Sequence, residues 1–508
     1  MAMNDRYLLL TGATGLLGRS LLRDLSAAGR RLAVLVRAGR TDSAESRVDE
    51  LLADWQEVAG AAVAAPVVLE GDITQPGLGL APEATAWVEA HVDELIHSAA
   101  SLSFQLRKSD GEPLRSNVEG TNNVLAFCRQ TGIRRLHHVS SAYVCGLRQG
   151  RILETELDVG QTPGNDYERS KIISETAARG ADYLDVCTVH RPSIIVGDLV
   201  HGFTNTFHGF YKPLRIVQPF VEAFLSVAIE AGSLLDVLGM TGEERKNLVP
   251  VDWVSAVMSR IILDRSLHGR TYHLTATKPT PVGRLCDVFA SMVGELAEQG
   301  RREGESVRQA NGFDPATLGR LFGDQMHVYQ AYWRDDPVFD SAATQAVAPD
   351  LPAPELDDET LRRLCRFAIR NSFRWPPSDR VAVAVAARSL LEQRLGPASW
   401  KSATVPEADQ FGLGTLGPGG GQWTVACGGG TPVRLHVGLP AAGVPVGWMT
   451  AATLERLIAG EADATQLLAT GSLVIEGGDE EQREQVLARV AALSAAAGAV
   501  ARRPLQPR

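Results

Sequence analysis

The sequence predicts an α/β fold: a doubly wound parallel sheet with a mostly helical lobe, followed by a small α+β domain. Between residues 7 and 200, short apolar runs of strand length alternate with segments whose leucines recur at helical spacing, which is typical of βαβ units. The chain has 508 residues, too many for one hydrophobic core, so we expect more than one domain. Because the strands of such a sheet run parallel, ligand-binding residues should collect beyond their carboxyl ends.

A glycine-rich turn lies at the start of the chain, in the stretch Tyr7–Gly18 (YLLLTGATGLLG). Tyr7–Leu10 reads as a short buried strand, and leucines at helical spacing predict a helix from Leu16 that ends at Gly29. The turn between them carries a GxxGxxG pattern, formed by Gly12, Gly15 and Gly18. The first glycine permits the sharp turn, the second lets a pyrophosphate approach the backbone, and the third lets helix and strand pack closely. With the free N–H groups of a helix N-terminus, this context predicts a Rossmann-type dinucleotide site rather than a mere tight turn.

The second strand predicts which dinucleotide binds. Arg31–Arg37 (RLAVLVR) lies one βαβ step beyond the glycines. In NAD-preferring folds an acid near the end of this strand binds the ribose 2′-hydroxyl. Here the position holds Arg37, with Arg40 close behind and no acid before Asp42. Because a guanidinium suits a 2′-phosphate, we predict NADP(H) as the cofactor, the alternative being that Arg37 is an ordinary surface arginine.

Three more strands continue the alternation. They are predicted at Val67–Asp72, Glu94–Ala100 and Arg134–Val144, and a helix begins near Asn117. The last of these strands contains Ser140-Ser141 near its carboxyl end. Polar residues therefore fall where a doubly wound sheet binds its ligand.

A tyrosine and a lysine lie one helical turn apart in the segment YERSK, which opens the next helix. Tyr167 and Lys171 therefore share a helix face. A free tyrosine has a pKa of about 10, and a cation one turn away is expected to lower it toward neutral pH. With a serine hydroxyl from Ser140-Ser141 to orient a carbonyl oxygen, the set suits hydride reduction of a carbonyl, in which the oxyanion must be stabilised and protonated. The alternative, a solvated helix face, explains YxxxK alone but not the whole constellation.

Eight stretches of the first 270 residues match one protein family. They are TGATGLLG, VLVR, GDIT (Gly71–Thr74), IHSAASLSF (Ile96–Phe104), NVEGTNNVL (Asn117–Leu125), VSSAYV (Val139–Val144), YERSK and HRPSIIVGD (His190–Asp198). In these the chain resembles an extended short-chain dehydrogenase/reductase, and more narrowly the fatty acyl reductase and thioester reductase branch. That branch commonly reads HCAA where this chain has His97-Ser98-Ala99-Ala100, a mild departure. The resemblance implies NADPH-dependent reduction of a fatty or polyketide-type acyl thioester, on coenzyme A or a carrier protein, to aldehyde or alcohol.

The resemblance also implies roles for individual residues. Ser141, which precedes AYVCG, takes the catalytic hydroxyl, with Tyr167 as proton donor. Lys171 also binds the nicotinamide ribose, and Asn117 supports the active site. His97 is either a core histidine bonded to backbone or a direct participant, and no metal ligand is expected. The implied cofactor contacts are Thr11, Gly12, Thr14, Gly15, Leu16, Leu17, Gly18, Arg37, Arg40, Asp72 (near the adenine), Ile73, Ser98, Ala99, Ala100, Tyr167, Lys171, Pro192 and Ile194.

The region after the sixth strand, about residues 199–248, is predicted to form the substrate lobe. Its aromatic side chains suit an acyl chain, although each is equally well explained as a core residue. They are Phe203, Phe207, Phe210, Tyr211, Phe220 and Phe224. Val249–Val254 (VPVDWV) and Tyr272–Thr275 (YHLT) are predicted as strands that return the chain to the sheet. Residues 1–278 would thus form the NADP-binding reductase domain.

Two further regions follow. Residues 279–377 read as a helical extension and a Pro-rich linker, in which DPVFDS (Asp336–Ser341) is similar to the tail of bacterial acyl reductase-like proteins. Residues 378–508 read as a small domain with a helix at Val381–Leu395, a hairpin of Gln422–Cys427 with Pro432–Val437, and a final helix from Glu480. The order of elements and the stretch GEADATQLLATGSLVIEG resemble a sterol-carrier-protein-type lipid-binding domain. The alternative is a small domain that only packs against the reductase or mediates dimerisation.

Composition narrows the function classes. A net charge of −10 without a basic run argues against a nucleic-acid partner. The most apolar region, Leu214–Met240, is interrupted by charged residues, so no transmembrane helix is predicted. Six separated cysteines and an N-terminus without a visible signal peptide fit a reducing cytoplasm. Two other functions stay open: an NADP-dependent dehydrogenase or epimerase of a steroid- or sugar-like secondary alcohol, and a lipid-binding protein with a non-catalytic reductase domain. Members of the extended family often dimerise, so a homodimer is compatible with the resemblance.

Overall fold

The computed structural model describes residues 6–39, 43–59, 65–216, 235–236, 239–302, 326–374, 387–395, 409–416, 421–428, 431–437, 439–440, 443–469 and 472–495. These residues divide into two compact units. The first holds the described residues up to 212, 235–292 and 326–374. The second holds residues 213–216, 293–302 and those described from 387 onward.

The strands of the first unit are short. In chain order the described ones are β1 (Tyr7–Thr11), β2 (Leu32–Val36), β3 (Val67–Glu70), β4 (Val92–His97), β5 (Arg135–Val139), β6 (Arg151–Ile152), β7 (Val186–Pro192), β8 (Ile194–Val196), β9 (Arg245–Lys246), β10 (Leu248–Pro250), β11 (Thr271–Leu274), β12 (Thr280–Pro281) and β13 (Val338–Phe339). Seven of these described strands form one parallel sheet in the order β11-β7-β5-β4-β1-β2-β3. The chain winds outward from β1 in both directions, which confirms the predicted doubly wound fold.

Helices cover both faces of this sheet. In chain order, the described helices up to residue 370 are α1 (Leu16–Ala27), α2 (Ala44–Ala59), α3 (Pro82–His91), α4 (Gly120–Thr131), α5 (Asp166–Arg179), α6 (Val251–Leu263), α7 (Val282–Arg302), α8 (Ala342–Val347) and α9 (Asp358–Arg370), and those that pack on the sheet are α1–α6 and α8. Leu8 and Leu10 of β1 face α1 and α6, while Leu9 faces the core formed with α3 and α4. Both faces are therefore apolar, as a parallel sheet requires. Among the described helices, none is both long and apolar enough to cross a membrane.

The register aligns the carboxyl ends of the central strands. Thr11 of β1 pairs with His97 of β4, and His97 pairs with His138 of β5. Val139, the last residue of β5, pairs with His190 of β7. The glycine turn, the loop after β4 and the serines after β5 therefore emerge along one edge, which is where the candidate site lies.

The predicted strands Val67–Asp72 and Glu94–Ala100 are observed as Val67–Glu70 and Val92–His97, and two other segments differ more from the predicted elements. The strand predicted to run to Val144 ends at Val139, and residues Ala142–Cys145 form a 3₁₀ turn capped by the side chain of Ser141. The prediction of a strand over Val249–Val254 is wrong for its second half, since β10 ends at Pro250 and α6 begins at Val251. Pro250 has no N–H to continue a ladder, and Asp252 in the first turn favours a helix N-terminus.

The described aromatic residues of the predicted substrate lobe are core residues. Phe203, Phe207, Phe210 and Tyr211 are all buried. The ring of Phe203 packs edge-on against Phe367 of α9, with centroids 5.6 Å apart. This supports the core interpretation over an acyl-binding one for these four side chains. Phe220 and Phe224, and residues 375–377 at the end of the predicted linker, lie outside the described residues.

The C-terminal part of the chain forms a mixed sheet with helices packed on it. Its elements are α10 (Ala387–Leu395), β14 (Gln410–Leu416), β15 (Gly421–Gly428), β16 (Thr431–Val437), β17 (Val446–Thr450), α11 (Ala451–Ile458), α12 (Ala464–Ala469), β18 (Leu473–Glu476) and α13 (Glu480–Ala495). The strand order is β16-β15-β14-β17-β18, with only β14 and β17 parallel among these described pairs. The predicted α+β class, hairpin and final helix are confirmed.

Strand β14 was not predicted from the sequence, because its glycines suggest a loop. Gly412 and Gly414 have no side chains that could clash with those of the neighbouring strand β17. A Cβ at Gly414 would lie 2.1 Å from the ring of Trp448, and one at Gly412 would lie 2.6 Å from Val446. The strand is therefore glycine-rich so that the large side chains of its partner can cross it.

Candidate active site

The glycine turn joins β1 to α1 at the carboxyl edge of the sheet. Gly12 has a φ of +77°, and a Cβ there would lie 2.6 Å from the amide nitrogen of Ala99. A Cβ at Gly18 would lie 2.0 Å from the carbonyl oxygen of Gly12. At Gly15 the nearest atom beyond its chain neighbours is that same oxygen, at 3.3 Å, with no other described atom within 4 Å. The protein itself therefore requires the first and third glycines, while the second leaves room for a pyrophosphate.

The start of α1 is open to an anion. No described side chain caps the helix at Gly15. The backbone N–H groups of its first turn, which begins with Leu16 and Leu17, are therefore available to phosphate oxygens. The carbonyl oxygen of Thr14 accepts a hydrogen bond from Asn205 Nδ2 at 3.0 Å, which fixes the turn from outside. Asn205 was not predicted as a site residue, since nothing in its local sequence separates it from an ordinary loop asparagine.

Arg37 and Asp72 lie at the adjacent ends of β2 and β3. The guanidinium Nη1 of Arg37 lies 3.7 Å from Oδ2 of Asp72, and the arginine side chain is 65% exposed. The arginine predicted to bind a 2′-phosphate thus lies beside the acid predicted to approach the adenine, and the next residue, Ile73, is buried. A 2′-phosphate would compete with Asp72 for Arg37. Arg40 lies outside the described residues.

His97 lies at the end of β4 between two threonine hydroxyls. Thr11 Oγ1 lies 2.9 Å from His97 Nδ1 and also accepts a 3.3 Å hydrogen bond from the N–H of Ala99. Thr121 Oγ1 lies 3.1 Å from His97 Nε2 and donates to the carbonyl oxygen of Asn117 at 2.6 Å. These directions place the imidazole proton on Nε2, and burial holds the pKa of His97 well below its usual value. His97 is therefore a neutral core histidine, bonded to side chains rather than to backbone.

The remaining predicted cofactor contacts lie along the same edge. Just beyond β4, Ser98 and Ala99 are half-buried and Ala100 is exposed. Pro192 is the last residue of β7 and Ile194 the first of β8. Ile194 packs against the 3₁₀ turn that follows Ser141.

The structure brings Ser141, Tyr167 and Lys171 together at the carboxyl end of β5. Ser141 follows this strand and shares a hydrogen bond with the Tyr167 hydroxyl. Lys171 Nζ lies 5.9 Å from the centroid of the Tyr167 ring and donates a 3.0 Å hydrogen bond to the carbonyl oxygen of Val139. Helix α5 thus presents the tyrosine and the lysine to the serine of a separate strand. Such a set can hold a carbonyl oxygen and give it a proton.

Burial reverses the pKa shift expected for Tyr167. Burial raises the pKa of Tyr167 to about 12; the hydrogen bond with Ser141 lowers it and the charge of Glu168 raises it. Burial likewise lowers the pKa of Lys171 to about 8, against the opposing charge of Glu175. The expectation of a lowered tyrosine pKa is therefore wrong for this structure. At neutral pH Tyr167 is a neutral hydroxyl, which is the form that donates a proton.

Asn117 is positioned by a π-helical turn, Arg115–Glu119, which precedes α4. Its Nδ2 donates to the carbonyl oxygen of Ser101 at 3.0 Å and to Ser170 Oγ at 2.8 Å, while its Oδ1 accepts from the N–H of Ser101 at 2.7 Å. Asn117 therefore ties the loop after β4 to α5, next to Lys171. Such π-turns are frequent at functional sites, and the arrangement suits a supporting role.

A cavity of about 670 Å³ opens beside the N-terminus of α5. It is lined by Phe104, Gln105, Leu147, Pro163, Gly164, Asn165, Asp166, Arg169, Gln330 and Ala331. The ring of Phe104 lies 5.9 Å from that of Tyr167, 5.1 Å from Tyr329 and 5.3 Å from Tyr332, centroid to centroid. Tyr329 and Tyr332 were missed by sequence reasoning, because only the fold brings this distant segment to the catalytic tyrosine.

One cluster among the described residues has the spacing of metal ligands. The ligand atoms of Glu94, His137 and His268 all lie within 4.8 Å of one another. Glu94 Oε1 accepts from His137 Nε2 at 2.9 Å, and its other oxygen lies 3.3 Å from Arg30 Nη2. Burial alone would raise the pKa of Glu94, but these partners hold it at about 2. Because an arginine already neutralises the carboxylate, we interpret the cluster as a buried hydrogen-bond network and assign it no metal.

Comparison with known proteins extends these observations. Residues 10–258 match the NAD-binding family described as Male sterility protein. Peramine synthetase A of Epichloe festucae is 29% identical over 267 residues, which cover 50% of this chain and 9% of that protein. Fatty acyl-CoA reductase wat of Drosophila melanogaster is 22% identical over 285 residues, covering 50% of this chain and 53% of that protein. The chain thus spans about half or less of the length of these curated relatives.

Among solved structures, the terminal R domain of the myxalamid PKS-NRPS biosynthetic pathway has the same fold. It superposes with a TM-score of 0.56 at 22% identity, covering 74% of this chain and 94% of that domain. This likeness confirms the Rossmann-type fold. The family match agrees with the resemblance drawn from the motifs over residues 10–258 and supports the dinucleotide site at the glycine turn. It does not extend to the C-terminal domain.

Proposed function

Because residues 10–258 match the NAD-binding Male sterility family, we propose that the chain is an NADPH-dependent reductase of acyl thioesters. The observation that carries the proposal is a neutral Tyr167 hydroxyl, bonded to Ser141 and one helical turn from the buried Lys171, on the sheet edge that also holds the glycine turn. The acyl group would arrive on coenzyme A or on a carrier protein and leave as aldehyde or alcohol.

The residues at the sheet edge fit a nicotinamide dinucleotide. The space beside Gly15 and the uncapped start of α1 suit a pyrophosphate, and the exposed guanidinium of Arg37 suits the 2′-phosphate of NADP(H). When bound, the nicotinamide supplies the hydride. Asp72 beside Arg37 shares that guanidinium, so the preference for NADP(H) is part of the proposal.

The chain's own residues then act on the substrate oxygen. The hydroxyls of Ser141 and Tyr167 donate hydrogen bonds to the carbonyl oxygen and stabilise the negative charge that develops there. Tyr167 gives up its proton, and the Lys171 cation stabilises the phenolate that remains. The resulting hemithioacetal releases a thiol and an aldehyde. A second reduction, with the same proton donor, gives the alcohol.

The cavity beside α5 is the proposed site for the acyl part of the substrate. Its wall includes the apolar side chains of Phe104, Leu147 and Ala331, and Phe104 contacts the Tyr167 ring. An acyl chain held there would lie next to the proton donor. The relatives whose names include fatty acyl-CoA reductase support this class of substrate.

We further propose that the C-terminal unit is a sterol-carrier-protein-like domain that shelters the lipid chain or product. In its support, the described helices α11, α12 and α13 cover an apolar sheet face formed by residues such as Phe411, Val425 and Leu473. Photo-crosslinking of a diazirine fatty acid to the full chain, followed by peptide mapping, tests this. Labels within residues 387–495 are expected, and labels confined to the reductase unit would contradict it.

The reductase proposal is tested by following NADPH oxidation at 340 nm against a panel of acyl-coenzyme A and acyl-carrier thioesters, with thiol release measured in parallel. Oxidation with matched thiol release is the expected result, and the ratio of NADPH to thiol separates aldehyde from alcohol. Oxidation without thiol release, or alcohol-dependent reduction of NADP with no activity on any thioester, would instead favour a dehydrogenase of secondary alcohols.

A further inference from the structure

A segment far beyond the catalytic helix reaches back to the active site. Tyr332 ends the 3₁₀ turn His327–Tyr332, and Arg334 and Asp336 lie between this turn and β13. This stretch lies outside the residues that match the family, which end at 258. All three side chains nevertheless contact the elements that carry Ser141 and Tyr167.

Asp336 is a buried carboxylate with all of its partners in place. Its Oδ2 accepts a 2.7 Å hydrogen bond from the hydroxyl of Tyr143 and a 2.8 Å hydrogen bond from the N–H of Asn247. Its Oδ1 lies 3.0 Å from the Nζ of Lys246, which supplies the opposite charge. A carboxylate in such a setting holds its donors more rigidly than a neutral acceptor does, because charge-assisted hydrogen bonds are shorter and stronger.

Tyr143 links this carboxylate to the catalytic serine. It lies in the 3₁₀ turn Ala142–Cys145, and its N–H donates to Ser141 Oγ at 3.2 Å. The same serine hydroxyl shares a hydrogen bond with Tyr167. An unbroken chain of contacts therefore runs from Asp336 through Tyr143 and Ser141 to the proton donor.

The other two residues hold the adjacent backbone. Arg334 donates from Nη2 to the carbonyl oxygen of Gly146 at 3.0 Å and from Nη1 to that of Leu147 at 2.8 Å. The Tyr332 hydroxyl accepts a 3.0 Å hydrogen bond from Asn165, which caps the helix bearing Tyr167. The segment thus contacts two separate elements, the turn that follows Ser141 and the N-terminus of α5, which bears Tyr167.

We propose that Asp336 is a positioning residue of this active site: through the Tyr143 hydroxyl it fixes the turn that carries Ser141 and so sets the distance between Ser141 and Tyr167. The inference rests on the proposed reductase function. It assigns Asp336 no contact with substrate or cofactor. It predicts that loss of this hydrogen bond slows the proton-donating step while cofactor binding, on the other strand ends, stays intact.

The test compares Tyr143→Phe and Asp336→Asn with the double variant. Each single change should lower kcat by roughly 10- to 100-fold, because small misplacements of catalytic groups cost that much. The Kd for NADPH should stay within twofold of the wild-type value. The double variant should be no slower than the slower single variant, because Tyr143→Phe removes the donor and Asp336→Asn the acceptor's charge in one and the same contact. Asp335→Asn is the matched control, since the Asp335 carboxylate points to Arg245 at the surface, 3.0 Å away, and should keep the wild-type kcat.

A crystal structure of Tyr143→Phe provides a readout that needs no activity. The turn at Ser141 should move away from Tyr167 while the rest of the sheet superposes. An unchanged turn, an unchanged kcat, or equal losses of kcat and of NADPH binding would overturn the proposal. If wild type releases no thiol from any thioester, the reductase proposal fails by itself, and the same variants are then compared in the alcohol-oxidising direction, where Ser141 and Tyr167 serve equally.

Discussion

Lys171 Nζ donates a 3.0 Å hydrogen bond to the carbonyl oxygen of Val139, the last residue of β5. The lysine is therefore oriented by the strand that leads into Ser141, and no described carboxylate holds it directly. Because both the ammonium and the neighbouring tyrosine are buried, the charge of this lysine is costly and its pKa lies near 8. The protonation state of the site consequently changes within an accessible pH range.

The rate should therefore fall on the alkaline side. Lys171 is protonated below about pH 8 and neutral above it. His97 and His138, which face it, are already neutral because burial lowers the pKa of each. Burial raises the pKa of Glu175, but Arg191 and Arg179 outweigh it and hold that pKa below its usual value, so Glu175 is already ionised. Since the cation stabilises the developing phenolate, kcat/KM for NADPH should decline as pH rises through about 8. Because the pKa of Tyr167 is raised to about 12, its ionisation does not affect the pH dependence of the rate in this range. Initial rates between pH 6 and pH 10 measure this.

Loss of stability through Lys171 itself cannot explain such a decline. An ordinary lysine has a pKa of 10.5, so between about pH 8 and that value the unfolded chain binds more protons at this position than the folded chain. The contribution of Lys171 to stability therefore rises with pH in this window, opposite to its effect on rate. Lys171→Arg keeps the charge and should lose the alkaline limb. A limb near pH 8 that persists in this variant would rule out Lys171 as its source.

Replacing the catalytic tyrosine should remove the proton donor and little else. Tyr167→Phe keeps the ring that packs against Phe104 but loses the hydroxyl bonded to Ser141. Turnover should fall by roughly 10²–10⁴-fold, the usual contribution of a positioned acid, while NADPH binding measured by fluorescence stays unchanged.

The matched control is Tyr183→Phe. Its hydroxyl donates to the carbonyl oxygen of Leu125 at 2.5 Å, away from the strand ends that form the site. This variant should keep wild-type turnover even if its thermal stability falls. Full activity in Tyr167→Phe would remove the tyrosine from the mechanism.

Local sequence signals predicted much of the site because the fold carries them to one edge. The glycine turn, the serines after β5 and the YERSK helix each have a recognisable pattern, and the alternation of strands and helices places them together. Burial was not visible in the sequence, so the direction of the Tyr167 pKa shift was predicted wrongly. Spacing along a helix shows which residues are neighbours but not how much water surrounds them.

Contacts between segments that are distant in the chain could not be predicted from the sequence. Tyr332 and Asp336 contact the elements that carry Ser141 and Tyr167, and the nearby strand β13 pairs with β6. These partners lie far apart in the sequence, so no local pattern predicts the contacts. Likewise Asn205 meets the glycine turn across the fold. The same limit applies to β14, whose glycines are explained by the ring of Trp448 on another strand.

Arg37 should decide between the two nicotinamide dinucleotides. In Arg37→Ala the guanidinium is lost, and the Asp72 carboxylate remains without this partner. The KM for NADPH should rise about tenfold or more, since a charge-assisted contact to a phosphate contributes about 1.5–3 kcal/mol, while the KM for NADH should change little or fall. Steady-state rates with both cofactors measure the switch.

An arginine of similar exposure controls for the loss of surface charge. The Arg151 side chain is 67% exposed and pairs with Asp340 at 3.0 Å, as Arg37 pairs with Asp72. Arg151→Ala should leave both KM values unchanged. Equal changes for NADPH and NADH in Arg37→Ala would mean that Arg37 does not contact the 2′-phosphate.

Two glycines with the same φ allow the cost of backbone strain to be measured apart from the cost of a close contact. Gly12 and Gly29 both have a φ of +77°, where an L-residue is strained by roughly 1–2 kcal/mol. A Cβ at Gly29 would meet no described atom within 4 Å, whereas one at Gly12 would lie 2.6 Å from the backbone of the loop after β4. Gly29→Ala should therefore lower the free energy of unfolding by about the strain alone and leave the Kd for NADPH unchanged. Gly12→Ala should lose about 1–3 kcal/mol more through overpacking, and should weaken NADPH binding because the turn itself must shift. Denaturant unfolding and NADPH titration of both variants measure the difference. Equal losses of stability, with NADPH binding intact in both variants, would contradict this prediction. They would show that the turn accommodates a methyl group and that the contact with Ala99 does not determine its shape.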